Sequence, residues 1–190
     1  MIQHSFPTRR SSDLVPRVAE LARSPAIRAL VQPVLGHDAR VVRSLLFDKT
    51  PDANWKVPWH QDTTVAVKER RDTAGFGPWS TKAQVVHVQP STAILEGMLT
   101  LRIHLDDCGH DNGPLRVVPG SHRVGILDVP RARAFRERYG EVACAVSAGS
   151  AVLMRPLLLH ASSPALIPSH RRVIHLEFAA EALPNGLEWR

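Results

Sequence analysis

The chain has 190 residues, of which 44% are hydrophobic, 22% charged and only 5% aromatic, and its formal net charge is +6. This length suits one domain with a packed core and is short for two. Basic and aromatic residues do not interleave as on a base-stacking surface, and no apolar run is long enough to span a bilayer, so we expect neither a nucleic-acid nor a membrane partner.

The first 14 residues differ from the rest of the chain. Residues 1–14 (MIQHSFPTRRSSDL) are polar and basic and follow neither a helical nor a strand period. We interpret them as a non-native or disordered leader, which implies a truncated natural N-terminus, and residues 15–190 as the single domain. From Val15 to Val34 the apolar residues recur about every 3.6 positions, and Ser24-Pro25 interrupts them, which predicts two short helices.

The pattern from Ala39 onward is typical of strands. The β-rich run 39–47 is closed by the turn residues 48–52. Further short extended runs lie around His60 and at 98–105, 115–118, 142–146, 151–159 and 172–179. Many short strands separated by Gly, Pro, Asn and Asp predict an antiparallel sandwich or barrel. The exception is the long insertion 63–97, with a short helix predicted at 91–96, and a connection of this length near a site typically serves as a lid or binding loop.

A metal-binding pattern begins in Trp59-His60-Gln61-Asp62. On an extended strand His60 and Asp62 project from the same face and form a chelating pair. His160 is the best third ligand, because it follows the apolar run 151–159 and opens a polar turn. Two His and one carboxylate suit Fe(II) and leave coordination positions open for a cosubstrate and dioxygen.

Arg171 is the candidate cation for the distal carboxylate of a keto-acid cosubstrate, because guanidinium offers a planar fork of donors. In the strand that follows, Arg171, Val173, His175 and Glu177 share one face, which has the character of a polar cleft lining. Arg172 should then point outward, and a register error of one residue would exchange the two arginines.

Three segments carry a family resemblance. They are FDKTPDANWKVPWHQD (47–62), LRIHLDDCGHDNGPLRVVPGSHR (101–123) and GSAVLMRPLLLHASSP (149–164) followed by HRRVIHLEF (170–178). From about Ala39 to the C-terminus the chain resembles the phytanoyl-CoA dioxygenase family of Fe(II)- and 2-oxoglutarate-dependent oxygenases. The middle segment is the most distinctive and contains no metal ligand.

The resemblance implies a mainly β protein with a double-stranded β-helix, the cupin-like jelly roll, preceded by short helices. It places His60, Asp62 and His160 on iron as the catalytic centre, Arg171 on 2-oxoglutarate with Ser162 assisting, and Gln61 on the substrate side. The implied reaction is hydroxylation of a small or medium organic substrate by O2, with release of succinate and CO2 and with ascorbate as a supporting reductant. Because Asp62 fills the position that halide occupies in related halogenases, hydroxylation is favoured over halogenation.

One position departs from the family. Arg102 stands where members often have Trp, on a predicted strand whose polar face also carries Thr100 and His104. If this face lines the cleft, Thr100 and Arg102 are candidate cosubstrate contacts, and the second cation favours an anionic substrate or a different cosubstrate pose. The alternative is an arginine at the rim in a structural ion pair. In the insertion, Trp79 and His87 are candidates for the substrate side, with packing as the alternative.

Two other functions remain open from the sequence. The first is a cupin-like isomerase or hydrolase that uses Zn or Mn at the same three ligands, which consumption of 2-oxoglutarate would distinguish. The second is a non-enzymatic jelly-roll binding protein, which metal content and cosubstrate affinity would distinguish. Cys108 and Cys144 belong to no C-x-x-C motif, so we expect two reduced thiols and a cytoplasmic location.

Overall fold

The computed structural model describes the backbone of residues 9–11 and all of residues 16–190. The helices are α1 (Pro16–Arg23), α2 (Pro25–Leu35), α3 (Thr92–Glu96) and α4 (Val129–Tyr139). Helix α2 begins where the sequence predicts, because the Ser24 hydroxyl accepts a hydrogen bond from the Ile27 amide at 3.4 Å. In the part of the chain that is described, no helix has the length and apolar character to cross a membrane.

The strands form three antiparallel sheets. A five-stranded sheet has the order β1-β2-β12-β7-β10, a four-stranded sheet the order β3-β11-β8-β9, and a three-stranded sheet the order β4-β6-β5. The strands, in chain order, are β1 (Arg9–Ser11), β2 (Arg40–Lys49), β3 (Val57–His60), β4 (Val65–Val67), β5 (Trp79–Lys82), β6 (Val85–Val88), β7 (Met98–His104), β8 (Leu115–Val117), β9 (Val142–Cys144), β10 (Ala151–Met154), β11 (His160–Ser162) and β12 (Arg171–Ala179).

From β7 onward the chain alternates between the two larger sheets. Strands β7, β10 and β12 belong to the five-stranded sheet, whereas β8, β9 and β11 belong to the four-stranded sheet. This alternation builds a double-stranded β-helix, so the predicted mainly β jelly roll is confirmed. The fold brings β3 and β11 side by side, although about one hundred residues of chain separate them.

Along each strand of the five-stranded sheet, successive side chains alternate between an apolar face and a polar face. Leu101 and Leu176 point to one face and are fully buried beneath α1 and α2, in a core with Ile27 and Val31. The opposite face carries polar residues of β2, β7 and β12 and faces the interior of the barrel. Burial of the apolar face fixes the register of these strands, because a shift of one residue would bury the polar set.

The insertion 63–97 differs from the expected lid or binding loop. It forms the three-stranded sheet and α3, and Val65, Val67 and Val88 are each at most 1% exposed, packed against Leu183 and Leu187 from the C-terminal segment. Its strands have only three or four residues and surround a charged, turn-rich stretch. Such short strands leave too little periodicity for the sequence to indicate a sheet.

The apolar run 151–159 also differs from the single strand expected. Strand β10 ends at Met154, residues 155–159 turn, and His160 begins β11 in the other sheet. Pro156 lies at this break and lacks the amide donor that a continuous central strand needs. His160 therefore starts a strand and does not end one.

Outside the insertion, a helix and an edge strand were also not predicted from the sequence. Helix α4 buries none of its residues, so it has no apolar stripe, although Asp128 caps it by accepting from the Arg131 amide at 2.8 Å. Within the expected leader, the backbone of Arg9–Ser11 pairs with Leu45–Phe47 as an edge strand. Residues 1–8 and 12–14 lie outside the described residues, and the proposal of a non-native leader stays a prediction.

Candidate metal and cosubstrate site

The three predicted metal ligands lie together at the junction of β3 and β11. His60 ends β3, His160 begins β11, and the two are direct partners across the strand pair. Asp62 lies between them: its Oδ1 is 3.7 Å from His60 Nε2 and its Oδ2 is 3.7 Å from His160 Nε2. One ligand atom from each residue falls within 4.8 Å of the other two.

The hydrogen bonds of both histidines leave the same nitrogen available for a metal. His60 Nδ1 contacts the Pro58 carbonyl at 2.9 Å, and His160 Nδ1 contacts the Leu158 carbonyl at 2.7 Å. A carbonyl oxygen only accepts, so each Nδ1 carries a proton, and the neutral form of each ring has its Nε2 lone pair directed toward Asp62. Such fixing of the tautomer by a backbone partner is typical of metal-ligating histidines.

The protonation states at neutral pH also suit a metal. Burial lowers the pKa of His160 to about 4, although the Asp62 charge acts in the opposite direction. Burial opposes ionisation of Asp62, but the neighbouring His160 and His60 hold the pKa of this carboxyl well below its usual range. A neutral imidazole and an ionised carboxylate are the forms that bind a metal, so no proton has to be removed first.

The spacing fits one shared ion. A contact of 3.7 Å is too long for a hydrogen bond between Asp62 and either imidazole. Metal–nitrogen and metal–oxygen bonds are about 2.1 Å long, so two ligands on one ion lie roughly 3–4 Å apart. The donor set, two imidazoles and one carboxylate on one side of a cavity, is the facial arrangement of non-haem Fe(II) sites.

Arg171 and Ser162 lie in the same cavity, beside a residue that the sequence did not single out. The Ser162 hydroxyl is 2.8 Å from Lys49 Nζ and 3.4 Å from Arg171 Nη1, and Arg171 Nη1 also donates to the Gly113 carbonyl. Lys49 and Arg171 are only 1% and 3% exposed, and neither has a carboxylate within 4.0 Å among the described residues. Two buried cations and a hydroxyl therefore form a pocket suited to a carboxylate.

Lys49 could have been found from the sequence. It ends β2, where strand alternation places Arg43, Leu45, Phe47 and Lys49 on one face, and it pairs with Arg171 in register. Burial, followed by the Arg171 charge, lowers the pKa of Lys49 to about 7.

A chain of charged and polar groups continues along the inner face of the five-stranded sheet. Arg102 Nη1 donates to His175 Nδ1 at 3.1 Å, His175 Nε2 is 3.4 Å from Glu177 Oε1, and Glu177 Oε1 is 3.1 Å from Arg43 Nη1. Arg102 is 8% exposed, so it is not at the rim, and no described carboxylate lies within 4.0 Å of it. The rim ion pair considered for Arg102 is therefore not found.

These groups surround one cavity of about 110 Å³. Arg171 lines this cavity together with His175 and Glu177. Arg172 points outward, and its Nη2 donates to Asp106 Oδ1 at 2.6 Å. This is the strand register that the sequence predicts. The lining residues are Arg43, Leu45, Phe47, Trp55, Val57, His60, Asp62, Arg102, Leu115, His160, Ala161, Ser162, Arg171, His175 and Glu177.

Four of the predicted site residues are not in this lining. Thr100 is 1% exposed. It lies on β7, two residues before Arg102, and pairs with Glu177 of β12. Gln61 points away from the cavity: its amide donates to the Gly125 and Leu157 carbonyls, and its carbonyl accepts from the Leu127 amide. Alternation explains this, because Gln61 lies between two residues that face the cavity.

Trp79 and His87 belong to the three-stranded sheet. Trp79 packs at the edge of the core beneath this sheet, and the buried His87 ring contacts the Val85 carbonyl through Nδ1 at 2.9 Å. Neither residue is in the cavity lining, and the insertion packs as a sheet, so a role on the substrate side stays a prediction.

Comparison with known families identifies relatives of this chain. Residues 7–173 match the family model described as phytanoyl-CoA dioxygenase. Over 120 residues the chain is 31% identical to the L-proline trans-4-hydroxylase of Streptomyces griseoviridis, an alignment that covers 63% of the chain and 37% of that protein. The chain therefore spans well under half the length of this relative.

Solved structures show the same fold. AviO1 from Streptomyces viridochromogenes Tue57 superposes with a TM-score of 0.64 at 26% identity, covering 93% of this chain and 68% of AviO1. Iron-bound EctD from S. alaskensis superposes with a TM-score of 0.67 at 22% identity, covering 90% of this chain and 55% of EctD.

Proposed function

The chain belongs to the phytanoyl-CoA dioxygenase family, and we propose that it is an Fe(II)- and 2-oxoglutarate-dependent dioxygenase that hydroxylates a small or medium organic substrate. The observation that carries this proposal is the presence, in one cavity, of a facial triad and a separate carboxylate pocket. A metal alone would explain the triad, but a carboxylate-bearing cosubstrate also supplies a counter-charge to the buried cations Lys49 and Arg171, which have no described carboxylate within 4.0 Å.

We assign His60, Asp62 and His160 to Fe(II), with the imidazoles held by the Pro58 and Leu158 carbonyls. Bound iron and 2-oxoglutarate supply activation of dioxygen, in which 2-oxoglutarate is converted to succinate and CO2 and one oxygen atom enters a substrate C–H bond. With iron bound, the Asp62 carboxylate would occupy the coordination position that halide would need, which supports hydroxylation over halogenation.

We assign the distal carboxylate of 2-oxoglutarate to Arg171, Ser162 and Lys49. Arg171 offers a fork of donors and Lys49 a point charge, and the Ser162 hydroxyl lies between them. Burial of both cations excludes water, so each hydrogen bond to a bound carboxylate is stronger than it would be at the surface.

Two relatives indicate the kind of substrate to expect. EctD from S. alaskensis has a crystal structure with 2-oxoglutarate and 5-hydroxyectoine, and the related Streptomyces griseoviridis protein is named an L-proline hydroxylase. Both relatives support an oxygenase that acts on a small molecule. L-Proline is therefore a reasonable first compound to test as a substrate, and a cytoplasmic location stays a prediction.

The direct test is formation of succinate from 2-oxoglutarate by the iron-loaded protein under air, measured by mass spectrometry with and without L-proline and other small molecules. We expect succinate above the level that the His160→Ala variant forms. Equal succinate from the wild type and this variant would contradict the proposal and favour a Zn or Mn enzyme, or a binding protein, on the same fold.

A further inference from the structure

Arg102 is the one cavity-lining arginine of the described residues whose charge and donors are left over after the proposed cofactor and cosubstrate are assigned. It lies on β7, 8% exposed, and its Nη1 donates to His175 Nδ1 at 3.1 Å. Its Nε is buried and has no hydrogen-bond partner among the described residues. Arg43, also in the lining, differs because it pairs with Glu177.

The contact to His175 orients Arg102 without neutralising it. Arginine only donates, so His175 Nδ1 accepts and the remaining ring proton is on Nε2, which faces Glu177 at 3.4 Å. His175 is therefore a neutral imidazole, and the Glu177 charge is taken by Arg43 at 3.1 Å. The Phe47 ring, 5.6 Å from the Arg102 guanidinium carbon, adds a face on which the cation stacks.

The charges of the assigned complex do not require Arg102. Fe(II) with the Asp62 carboxylate has one net positive charge, and dianionic 2-oxoglutarate turns this into one net negative charge. Arg171 alone neutralises that charge, so the Arg102 charge, like that of Lys49 when it is protonated, is in excess. A buried guanidinium without a counter-charge is unfavourable, and the excess predicts a second anion in the cavity.

We propose that the substrate carries an anionic group, in the simplest case a carboxylate, that binds to the guanidinium of Arg102. This inference rests on the proposed function and adds the chemical class of the substrate. The donors of Arg102 that His175 does not use form a planar fork, which matches the two oxygens of a carboxylate. His175 contacts Arg102 directly and so fixes the orientation of this guanidinium.

The first test uses acetate as the probe on protein saturated with Mn(II) and 2-oxoglutarate, so that the Lys49 and Arg171 pocket is already filled. We expect acetate to raise the melting temperature of the wild type in a dose-dependent manner and to have no such effect on Arg102→Met. The control is Arg133→Met, which removes an exposed arginine paired with Glu137 on α4 and should keep the acetate effect. An acetate effect that is absent from the wild type, or equal in Arg102→Met, would overturn the proposal.

The second test separates the two sources of a carboxylate, the substrate and 2-oxoglutarate itself. If Arg102 serves the substrate, the Kd of 2-oxoglutarate for the Mn(II)-loaded Arg102→Met variant should stay within about threefold of wild type. Weakening by roughly tenfold or more would assign Arg102 to the cosubstrate and overturn the proposal. Where Arg102→Met does not fold, Arg102→Gln takes its place in both tests.

Failure of this inference is distinct from failure of the proposed function. Normal binding of metal and 2-oxoglutarate without an acetate site at Arg102 would remove only the anionic substrate. Absence of 2-oxoglutarate binding to the metal-loaded wild type would instead remove the cosubstrate, and the proposed function with it.

Discussion

Lys49 Nζ donates a hydrogen bond to the Ser162 hydroxyl at 2.8 Å and thereby joins the end of β2 to β11 beside Arg171. The pKa of Lys49 is about 7, because burial and then the Arg171 charge disfavour the ammonium form. An anion stabilises this ammonium, so the affinity for 2-oxoglutarate should fall as pH rises above about 7, by at most tenfold per pH unit.

The variant Lys49→Met tests this assignment. Its affinity for 2-oxoglutarate should be weaker than wild type at pH 6.5 and should depend less on pH above 7, as measured by calorimetric titration of the Mn(II)-loaded protein. The control Lys68→Met removes an exposed lysine that pairs with Glu188 and should behave as wild type. Identical pH profiles for wild type and Lys49→Met would contradict the role of Lys49.

Arg171 and Arg172 are adjacent in the chain, but Arg171 is buried in the cavity wall and Arg172 is at the surface. Substitutions of the two residues therefore form a matched pair of variants. Arg171 is 3% exposed in the cavity wall, whereas Arg172 points outward and binds Asp106 at 2.6 Å. Arg171→Lys removes the fork of donors and should weaken 2-oxoglutarate binding by about 10- to 100-fold, the loss of one charge-assisted hydrogen bond of about 1.5–3 kcal/mol. Arg172→Lys should leave the Kd unchanged, and equal effects of the two substitutions would rule out the proposed register of the site.

Gln61 should be important for stability and not for substrate recognition. Its amide bridges the Gly125 and Leu157 carbonyls and the Leu127 amide, at 2.9, 2.7 and 2.7 Å. Gln61→Leu would leave buried backbone groups without partners, and we expect it to lower the free energy of unfolding by about 2–4 kcal/mol. The measurement is urea denaturation; a loss below about 0.5 kcal/mol would show that these contacts contribute little.

His104 should make the metal-free protein sensitive to acid. Its ring is 1% exposed, with neither nitrogen hydrogen-bonded among the described residues, and burial followed by the Arg102 and Arg171 charges lowers its pKa to about 4. The ordinary histidine pKa in an unfolded chain is about 6.5, so the unfolded state binds this proton first as pH falls. Neutral His104 therefore contributes its full share to the free energy of unfolding above about pH 6.5, and this contribution is lost as the pH falls from about 6.5 toward 4.

The variant His104→Leu should therefore lose less stability than wild type between pH 7.5 and pH 5, measured as urea midpoints at both values. His110→Asn changes an exposed histidine and serves as the control. A steeper loss in His104→Leu than in wild type would contradict the assignment.

Strand alternation accounts for much of what the sequence predicted. Arg171, His175 and Glu177 line the cavity, and Arg172 lies outside it, because residues two apart on a strand share a face and the apolar alternates are buried beneath α1 and α2. The same rule identifies Lys49 on β2, and it also indicates that Gln61, between His60 and Asp62, faces away from the cavity.

The features of the fold that the sequence did not predict depend on tertiary contacts, which a local sequence pattern does not show. The sheet in the insertion 63–97 is stable because Val65 and Val67 pack against the C-terminal Leu183 and Leu187, more than one hundred residues away. Strand β1 is held by backbone pairing with β2, which requires no particular side chains. Trp79 and His87 belong to the sheet in the insertion, where the sequence predicts a long connection.

The most direct test of the central claim is anaerobic addition of Fe(II) and then 2-oxoglutarate to the purified protein, followed by visible absorption spectroscopy. Bidentate binding of the keto acid to iron held by His60, Asp62 and His160 should produce a metal-to-ligand charge-transfer band. We expect this band in the wild type and expect it to be absent in His160→Ala and much weaker in Arg171→Ala at equal 2-oxoglutarate. A folded, iron-loaded wild type without the band, or an equal band in His160→Ala, would contradict the claim.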